Sequence, residues 1–264
     1  MKLTKGKNKE ALILLIFFSI MIIVGSVYSI SYGFRIRSFA IYNFLFYLIP
    51  PIFLLCKNRS MIKPILIFTI AMSLFLGLFL NHFARVNKVW EAFPKPDLFY
   101  YFYWEDLVWM FLWVLFSTAL YASFFVRHFP KTVTKRMKLF FAVFSGITLI
   151  YMLMVFTFPV LRGKYTDYAY LEMGISALPS IIIVLYGERK KLPKLLKFGV
   201  ISFFLSLFIE IVGKRHELWG FKGEYAGWVN IFGAAFPIEE FVIWMVLGGI
   251  SLAAYYEIFL GNKE

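Results

Sequence analysis

The stretch that decides the fold is "FPIEEFVIWMVLGGISLAAYYEIFL", residues 236–260, where two adjacent acids stand inside a long apolar run. Crossing the hydrocarbon core of a bilayer takes about 20 consecutive apolar residues, and this run is long enough. Hydrophobic residues make up 61% of the 264-residue chain and charged residues only 16%, whereas about a quarter of the residues in an ordinary soluble protein are charged. The sequence therefore predicts an all-α, polytopic helical membrane protein.

Eight apolar runs of this kind predict about eight transmembrane helices. They cover residues 11–33, 38–56, 63–82, 98–126, 138–160, 168–187, 194–213 and 230–260. The first run is too long for a cleaved signal peptide and is predicted to be a retained span. Most Lys and Arg lie in alternate connections, at residues 2–9, 57–63, 127–138 and 189–197 and at Lys263. The positive-inside bias then places both termini in the cytoplasm, and we expect the cell membrane as the location.

The net charge of +13 could suggest a nucleic-acid partner. The basic residues, however, fall in short loops between apolar runs, where they orient spans and contact anionic lipid. No nucleic-acid partner is therefore expected. A single cysteine, Cys56, excludes disulfides within the chain and any cysteine-rich metal site. We expect no metal and no cofactor, and the oligomeric state is left open.

Matching residues in the two halves predict an internal repeat. At a separation of 129 residues, Pro50 matches Pro179, Asn81 matches Glu210 and Trp90 matches Trp219; at a separation of 134, Glu105–Asp106 matches Glu239–Glu240. The prediction is a parallel tandem repeat of four plus four helices, with repeats at 1–133 and 134–264. Because parallel repeats are related by an axis along the membrane normal, both acid pairs should lie at similar depth, near the extracytoplasmic side.

The acid pair Glu239–Glu240 is the first candidate for function. The predicted last span places Glu239 about nine residues, or about 13 Å, from its beginning. A charged side chain near the bilayer centre costs about 2.5–3.5 kcal/mol, and two adjacent like charges cost more. The charge, and with it this free-energy cost, is removed most cheaply when one carboxyl takes up a proton. A carboxylic acid that is still protonated near neutral pH can serve as a general acid.

Aromatic residues accompany both acid pairs. Those sharing a helical face with Glu240 are Phe236 and Trp244, and those sharing a face with Asp106 are Phe102, Trp109 and Trp113. An acid beside aromatic rings suits a carbocation route, in which the acid protonates a double bond and the rings stabilise the cation. Glu210, near the same predicted membrane face, adds a fifth acid to the candidate site.

Two other hypotheses stay open. Parallel repeats with acids inside the membrane are also typical of carriers, so a proton-coupled transporter is the first. In the second, the protein is a non-catalytic membrane partner whose acids only pair with Arg85, Arg215 or similar residues. Other chemistries are disfavoured: three histidines are too few for a multi-histidine di-iron site, and the chain has no Asp-rich magnesium and diphosphate motif.

Residues 210–245, "EIVGKRHELWGFKGEYAGWVNIFGAAFPIEEFVIWM", resemble the lycopene cyclase domain family of small integral membrane proteins. In that family an acid at the end of a span precedes a Trp, a Tyr, a Gly and a Pro-x-Glu-Glu sequence that opens the next span. The matching residues here are Glu210, Trp219, Tyr225, Gly233 and Pro237 to Glu240. The first half resembles the family weakly, because Asn81 and Tyr103 stand where an acid and a proline are expected, which indicates a degenerate first copy.

The resemblance implies an isomerase of carotenoid biosynthesis, which closes a ring at the end of a linear carotenoid or other polyprenyl chain. The reaction is redox-neutral: protonation, ring closure and loss of a proton. Carried over to this chain, Glu239 and Glu240 would be the acid and its partner, and Glu210 would help to set their protonation. The expected partner is a hydrophobic isoprenoid substrate that enters from the lipid bilayer.

Overall fold

A computed structural model describes residues 43–57, 59–92, 97–99, 102–126, 129–130, 132–158 and 167–261, together with Ile16 and Ile20. Helices dominate this part of the chain. Six of them are long and apolar enough to cross a membrane, which is consistent with an integral membrane protein. They are Arg59–Asn87, Glu105–Phe125, Lys135–Thr157, Ala169–Gly187, Arg189–Arg215 and Glu240–Leu260.

The element order begins with a π-helical turn, Phe44–Leu48, which continues into α1 (Ile49–Lys57). A 3₁₀ turn, Arg59–Met61, leads to α2 (Ile62–Asn87), and a second, Arg189–Lys191, leads to α6. The remaining helices are α3 (Trp104–Phe125), α4 (Lys135–Thr157), α5 (Ala169–Gly187), α6 (Leu192–Arg215), a π-helical segment (Glu240–Gly248) and α7 (Gly249–Leu260). The strands are β1 (Trp90–Ala92), β2 (Asp97–Phe99), β3 (Phe102–Tyr103), β4 (Trp219–Phe221), β5 (Trp228–Ile231) and β6 (Ala234–Pro237).

Four predicted spans, at 63–82, 138–160, 168–187 and 194–213, correspond to α2, α4, α5 and α6 within a few residues. The run at 38–56 contains a shorter apolar helix, Phe44–Cys56. The run at 11–33 lies outside the described residues apart from Ile16 and Ile20, which are helical. The predicted count of eight spans therefore stays a prediction.

Two predicted spans were wrong at their beginnings. The predicted spans 98–126 and 230–260 both open on β-structure, and helix follows only from Trp104 and from Ile238. The described part of the chain is mostly helical, as predicted, and it also contains three two-stranded sheets that the all-α prediction did not include. The strands form because turn-forming residues interrupt these apolar stretches. Between β5 and β6, Phe232 and Gly233 both have positive φ and form a two-residue hairpin turn.

The sheets lie beside the ends of long helices. α2 ends where Lys88 adopts a left-handed conformation, and the chain continues into β1. α6 ends at Arg215 and continues into β4, which pairs antiparallel with β1. The β2–β3 and β5–β6 hairpins then lead directly into α3 and the π-helical segment. The strands thus gather at the membrane face where α2 and α6 end.

The opposite end of the bundle is closed by a buried ion cluster. Glu257, near the end of α7, accepts hydrogen bonds from Lys191 Nζ at 2.7 Å and from the Tyr121 hydroxyl at 2.6 Å, and pairs with Lys194 Nζ at 3.0 Å. Lys191 also pairs with Glu188 at 2.9 Å. At 1.5 Å per residue, Glu257 lies about 25 Å along the last span from its first residue. The cluster joins α3, α6 and α7 at the end remote from the strands.

Candidate functional site

The pairing of β1 with β4 creates the wall of the candidate site. Trp90 lies opposite Phe221, and Ala92 lies opposite Trp219. Trp219 and Phe221 are two residues apart on a strand, so their side chains point to the same side. The strands therefore present aromatic rings from two distant parts of the chain at one place, next to the ends of α2 and α6.

A cavity at this place collects three acids and six aromatic side chains. Its volume is about 50 Å³, which is enough for roughly three to five water molecules. Its lining consists of Trp90, Asp106, Trp109, Tyr170, Glu210, Trp219, Phe221, Glu240 and Trp244. The acids come from three separate elements, and all three are buried.

Glu240, the first residue of the π-helical segment, is held by a tyrosine. The Tyr170 hydroxyl donates a hydrogen bond of 2.7 Å to Glu240 Oε2, and both side chains are buried. The Tyr170 ring in turn lies between Trp90, with ring centroids 5.8 Å apart, and Tyr225, at 6.5 Å. Tyr170 therefore fixes the position of one carboxylate oxygen at the edge of the cavity.

Glu210 approaches the cavity from the end of α6. The indole N–H of Trp219 donates a hydrogen bond to its carboxylate, while its Oε2 has no hydrogen-bond partner among the described residues. Lys214, one turn further along α6, is the cation whose charge acts on both Glu210 and Glu240. The Lys214 ammonium lies 4.9 Å from the centre of the Phe221 ring.

Asp106 comes from the first turn of α3 and is the first-half acid that reaches the cavity. Its neighbour Glu105 is half-buried and outside the lining. The two members of an adjacent pair differ because successive helical residues point about 100° apart. The same division holds for the second pair, where Glu240 lines the cavity and Glu239 does not.

Glu239 has a different position from the one that the sequence predicts. It is buried, and its Oε1 accepts a hydrogen bond of 2.7 Å from the backbone N–H of Ala226. The carboxylate therefore holds the loop between β4 and β5. Glu239 also does not lie about 13 Å inside the span: the last span begins at Glu240, so both acids lie at its end.

The predicted aromatic residues divide in the same way. Trp109 and Trp244 line the cavity with ring centroids 5.1 Å apart, and Trp113 packs behind Trp244 at 4.3 Å. Tyr225 packs on Tyr170 outside the lining, and its hydroxyl donates a hydrogen bond to the Val89 carbonyl.

One predicted aromatic residue, Phe236, lies away from the described cavity wall. Phe236 is fully buried in a separate small cluster, 5.7 Å from the Phe241 ring. The side chain of Phe102 lies outside the described part of the chain.

Three lining residues were not among the predicted site residues. Trp90 carried a signal, since it matches Trp219 in the predicted repeat, and Phe221 alternates with Trp219 along one strand. Tyr170 carried none, because it belongs to no motif and reaches Glu240 only through the packing of α5. Among the described residues, no group of three or more His, Cys, Asp or Glu side chains is arranged to hold a metal ion.

Comparison with known proteins leaves the family open. No protein-family model matches the chain, and no curated protein or solved structure does. The similarity of residues 210–245 to the lycopene cyclase domain family therefore rests on the sequence motif alone and stays a prediction.

Proposed function

We propose that the protein is a membrane isoprenoid cyclase, which closes a ring at the end of a linear carotenoid or another polyprenyl chain. The observation that carries the proposal is the meeting of Asp106, Glu210 and Glu240 with six aromatic side chains around one cavity. Acids supply and remove protons, and aromatic faces stabilise a cation by about 0.5–2 kcal/mol each. An apolar alkene inside a membrane protein is the substrate class that needs both.

The proposed reaction is an isomerisation. A protonated carboxyl transfers its proton to the terminal double bond, whose electron pair forms the new C–H bond and leaves a tertiary carbocation. A second double bond attacks that cation, so that a C–C bond closes the ring and the positive charge moves to a ring carbon. Loss of a proton from a neighbouring carbon to a carboxylate restores a double bond. No oxidant, reductant or cofactor is consumed.

The residue roles follow from the geometry. Glu240 is the proposed proton donor, because the Tyr170 hydroxyl fixes its carboxyl at the cavity. Asp106 and Glu210 line the same cavity and are the proposed acceptors of the departing proton. Glu239, with its bond to Ala226, is proposed to hold the loop that covers the site. Trp109 and Trp244 are proposed to face the cation.

The cavity is too small for the substrate as it stands. Space for roughly three to five waters is less than an isoprenoid end group needs. Binding therefore requires side chains of the lining to move, and the substrate replaces water in a mostly aromatic space. Displacing water by apolar surface gains about 25 cal/mol per Å² buried, which supplies the driving force.

We also propose that the chain is a parallel tandem repeat whose halves build one site together. In support, residues 49–125 and 169–260 run through the same order of elements: a helix, a 3₁₀ turn, a long helix, a short strand, a hairpin and a helix. Trp90, Asp106 and Trp109 come from the first half, and the other lining residues come from the second. At the end of the bundle remote from the cavity, the helices carry basic residues around Lys191 and Lys194. The positive-inside bias therefore favours the cytoplasmic side of the cell membrane for that end.

A proton-coupled carrier is the second candidate, since buried acids inside a span bundle suit it equally. A carrier needs a water route to the acids from both faces. The cluster of Glu257 with Lys191, Lys194 and Tyr121, about 25 Å from Glu240 along the span, favours a closed end there. A third candidate, a non-catalytic partner whose acids pair with Arg85 or Arg215, is less favoured, because Arg215 is exposed beside the β5–β6 hairpin.

The pigment assay tests the proposal. Cells that accumulate lycopene would express the wild-type protein, Glu240→Gln, Asp106→Asn and the control Glu172→Gln, an exposed acid on α5. Ring-bearing carotenoids are expected with the wild type and the control, and not with the two cavity variants. Absence of any cyclised product with well-expressed wild type would refute the carotenoid version, and full activity of both cavity variants would refute the assigned site.

A further inference from the structure

The β5–β6 hairpin carries several exposed apolar side chains, although one side of the Trp228 ring packs against Tyr225 and Phe221. Phe232 at its tip is 75% exposed and Trp228 is 52% exposed. Val229 and Ile238 beside them are also exposed. Residues 228–237 contain no charged side chain. A hairpin that ends in water normally has a polar tip, so this edge suits a different environment.

The backbone at the tip makes the aromatic residue costly. Phe232 has φ of 50° and Gly233 has φ of 75°, the conformation of a two-residue hairpin turn that Asn and Gly adopt easily. A left-handed conformation costs an ordinary L-residue about 1–2 kcal/mol. Asn230 Oδ1 accepts a hydrogen bond of 3.1 Å from Gly233 N–H, which holds the turn in place. A phenyl group in this position gains nothing in water, whereas burial in lipid would offset the cost.

The exposed edge continues onto the surface of the last membrane span. Ile238, Val242 and Val246 are exposed and follow at intervals of four residues, so they form one stripe along the same side of the chain. The stripe runs from the hairpin onto the helix Glu240–Leu260, which is apolar enough to cross a membrane. The hairpin is therefore continuous with the exposed apolar surface of a helix that is long enough to span a membrane.

A basic residue, Arg215, stands beside the tip of the hairpin. Arg215 is exposed at the end of α6, and its Nη1 would lie 2.6 Å from a Cβ placed on Gly233. Aromatic side chains next to Arg or Lys are typical of the boundary between the headgroups and the acyl chains. The arrangement suits a lipid surface better than it suits a second protein.

We propose that the β5–β6 hairpin inserts into the bilayer leaflet on the side of the cavity. Phe232 and Trp228 contact acyl chains, and Arg215 contacts lipid phosphate. The inference concerns the hairpin alone and does not depend on the cyclase proposal. The proposal predicts that the chain between β4 and the last span contacts the membrane through the hairpin, in addition to the contacts that the spans make.

Spin-label accessibility tests the insertion. In full-length Cys56→Ser protein, a nitroxide on Val229→Cys would be compared with labels on Ile183→Cys, exposed on a span, and Glu224→Cys, exposed in the loop. The protein would be reconstituted in vesicles of phosphatidylcholine and phosphatidylglycerol. For each label, the accessibility to oxygen is divided by the accessibility to a water-soluble nickel chelate. We expect this ratio at residue 229 to resemble the ratio at residue 183, and to fall several-fold when Phe232→Asn is added.

Asn tolerates the left-handed turn, so this variant should leave the hairpin folded. An unchanged ratio at residue 183 in the Phe232→Asn protein would show that the spans keep their depth. The proposal is overturned if the label at residue 229 behaves like the one at residue 224, or if Phe232→Asn leaves it unchanged. Dipolar broadening between labels at residue 229 would also overturn it, because a second copy of the chain would then cover this edge.

Discussion

The Tyr170 hydroxyl and the Glu240 carboxylate lie 2.7 Å apart and are joined by a hydrogen bond between two buried groups. The bond connects the beginning of α5 with the beginning of the last span, 70 residues further along the chain. A buried acceptor that loses its donor bears the full cost of desolvation. The pair therefore stabilises the fold at the same place where it orients an acid towards the cavity.

Replacing Tyr170 with Phe should affect both properties. We expect Tyr170→Phe to lower the free energy of unfolding by about 1–3 kcal/mol, measured by denaturant titration in detergent micelles, and to lower cyclised product. The matched control is Tyr186→Phe, because Tyr186 lies on the same helix with its side chain exposed. Wild-type product formation by Tyr170→Phe would contradict the orienting role.

The two adjacent acids Glu239 and Glu240 should respond differently to the same change. Glu239→Gln retains an oxygen that accepts from Ala226 N–H, so most product formation should persist. Glu240→Gln removes the proposed proton donor, and general acids contribute about 10²–10⁴-fold to rate. Initial rates of product formation in membranes would measure both variants, with expression checked by immunoblot. Equal loss in the two variants would contradict the separation of roles.

Gly213 is a sensitive position because the Trp219 ring occupies the space that a Cβ would need. Gly213→Ala should push Trp219 out of the cavity wall, change the tryptophan emission spectrum and reduce product formation. Gly146→Ala is the matched control: Gly146 also lies in a helix, and no atom of the described residues outside that helix's local backbone stands within 4 Å of an added Cβ. If both variants behave alike, the close packing of α6 against Trp219 is not what shapes the site.

The ion cluster at the opposite end of the bundle should be a determinant of stability and not of chemistry. Glu257→Gln removes one of the two carboxylates that pair with the buried Lys191, and Glu188 remains as the other, so we expect a loss of stability below the about 3–5 kcal/mol that an entirely uncompensated buried charge costs. We expect that loss in denaturant unfolding in detergent micelles. The paired change Glu257→Leu with Lys191→Leu should recover part of it, since a well-packed apolar pair can replace an ion pair. If the double variant is no more stable than Glu257→Gln, the lost charge pairing is not the cause of the destabilisation.

Apolar length and charge were enough to predict the membrane-crossing helices but not the strands between them. Hydropathy cannot separate a short apolar strand from the end of an apolar helix, so residues 98–103 and 230–237 were assigned to spans. Local signals were present, because Pro94 and Pro96 stand just before the first stretch and Gly233 interrupts the second. The effect on the site is direct: the acids move from the interior of a span to its end.

The candidate site was predictable as a set of residue types and not as a geometry. The acids Asp106, Glu210 and Glu240 carry signals in the sequence, and they do meet at one cavity. Which member of each adjacent pair faces the cavity depends on where the helix begins, and the prediction placed that residue wrongly. Tyr170 depends on the packing of α5 against the last span, which no local pattern encodes.

The most direct measurement of the central claim is the incorporation of solvent deuterium during cyclisation. Membranes containing the wild-type protein would convert a linear carotenoid in D₂O, and the mass of the ring-bearing product would be determined. The account predicts one added deuterium for each ring, because the carboxyl that protonates the alkene exchanges with solvent between turnovers. Cyclised product without deuterium would contradict an acid-initiated reaction at Asp106, Glu210 and Glu240.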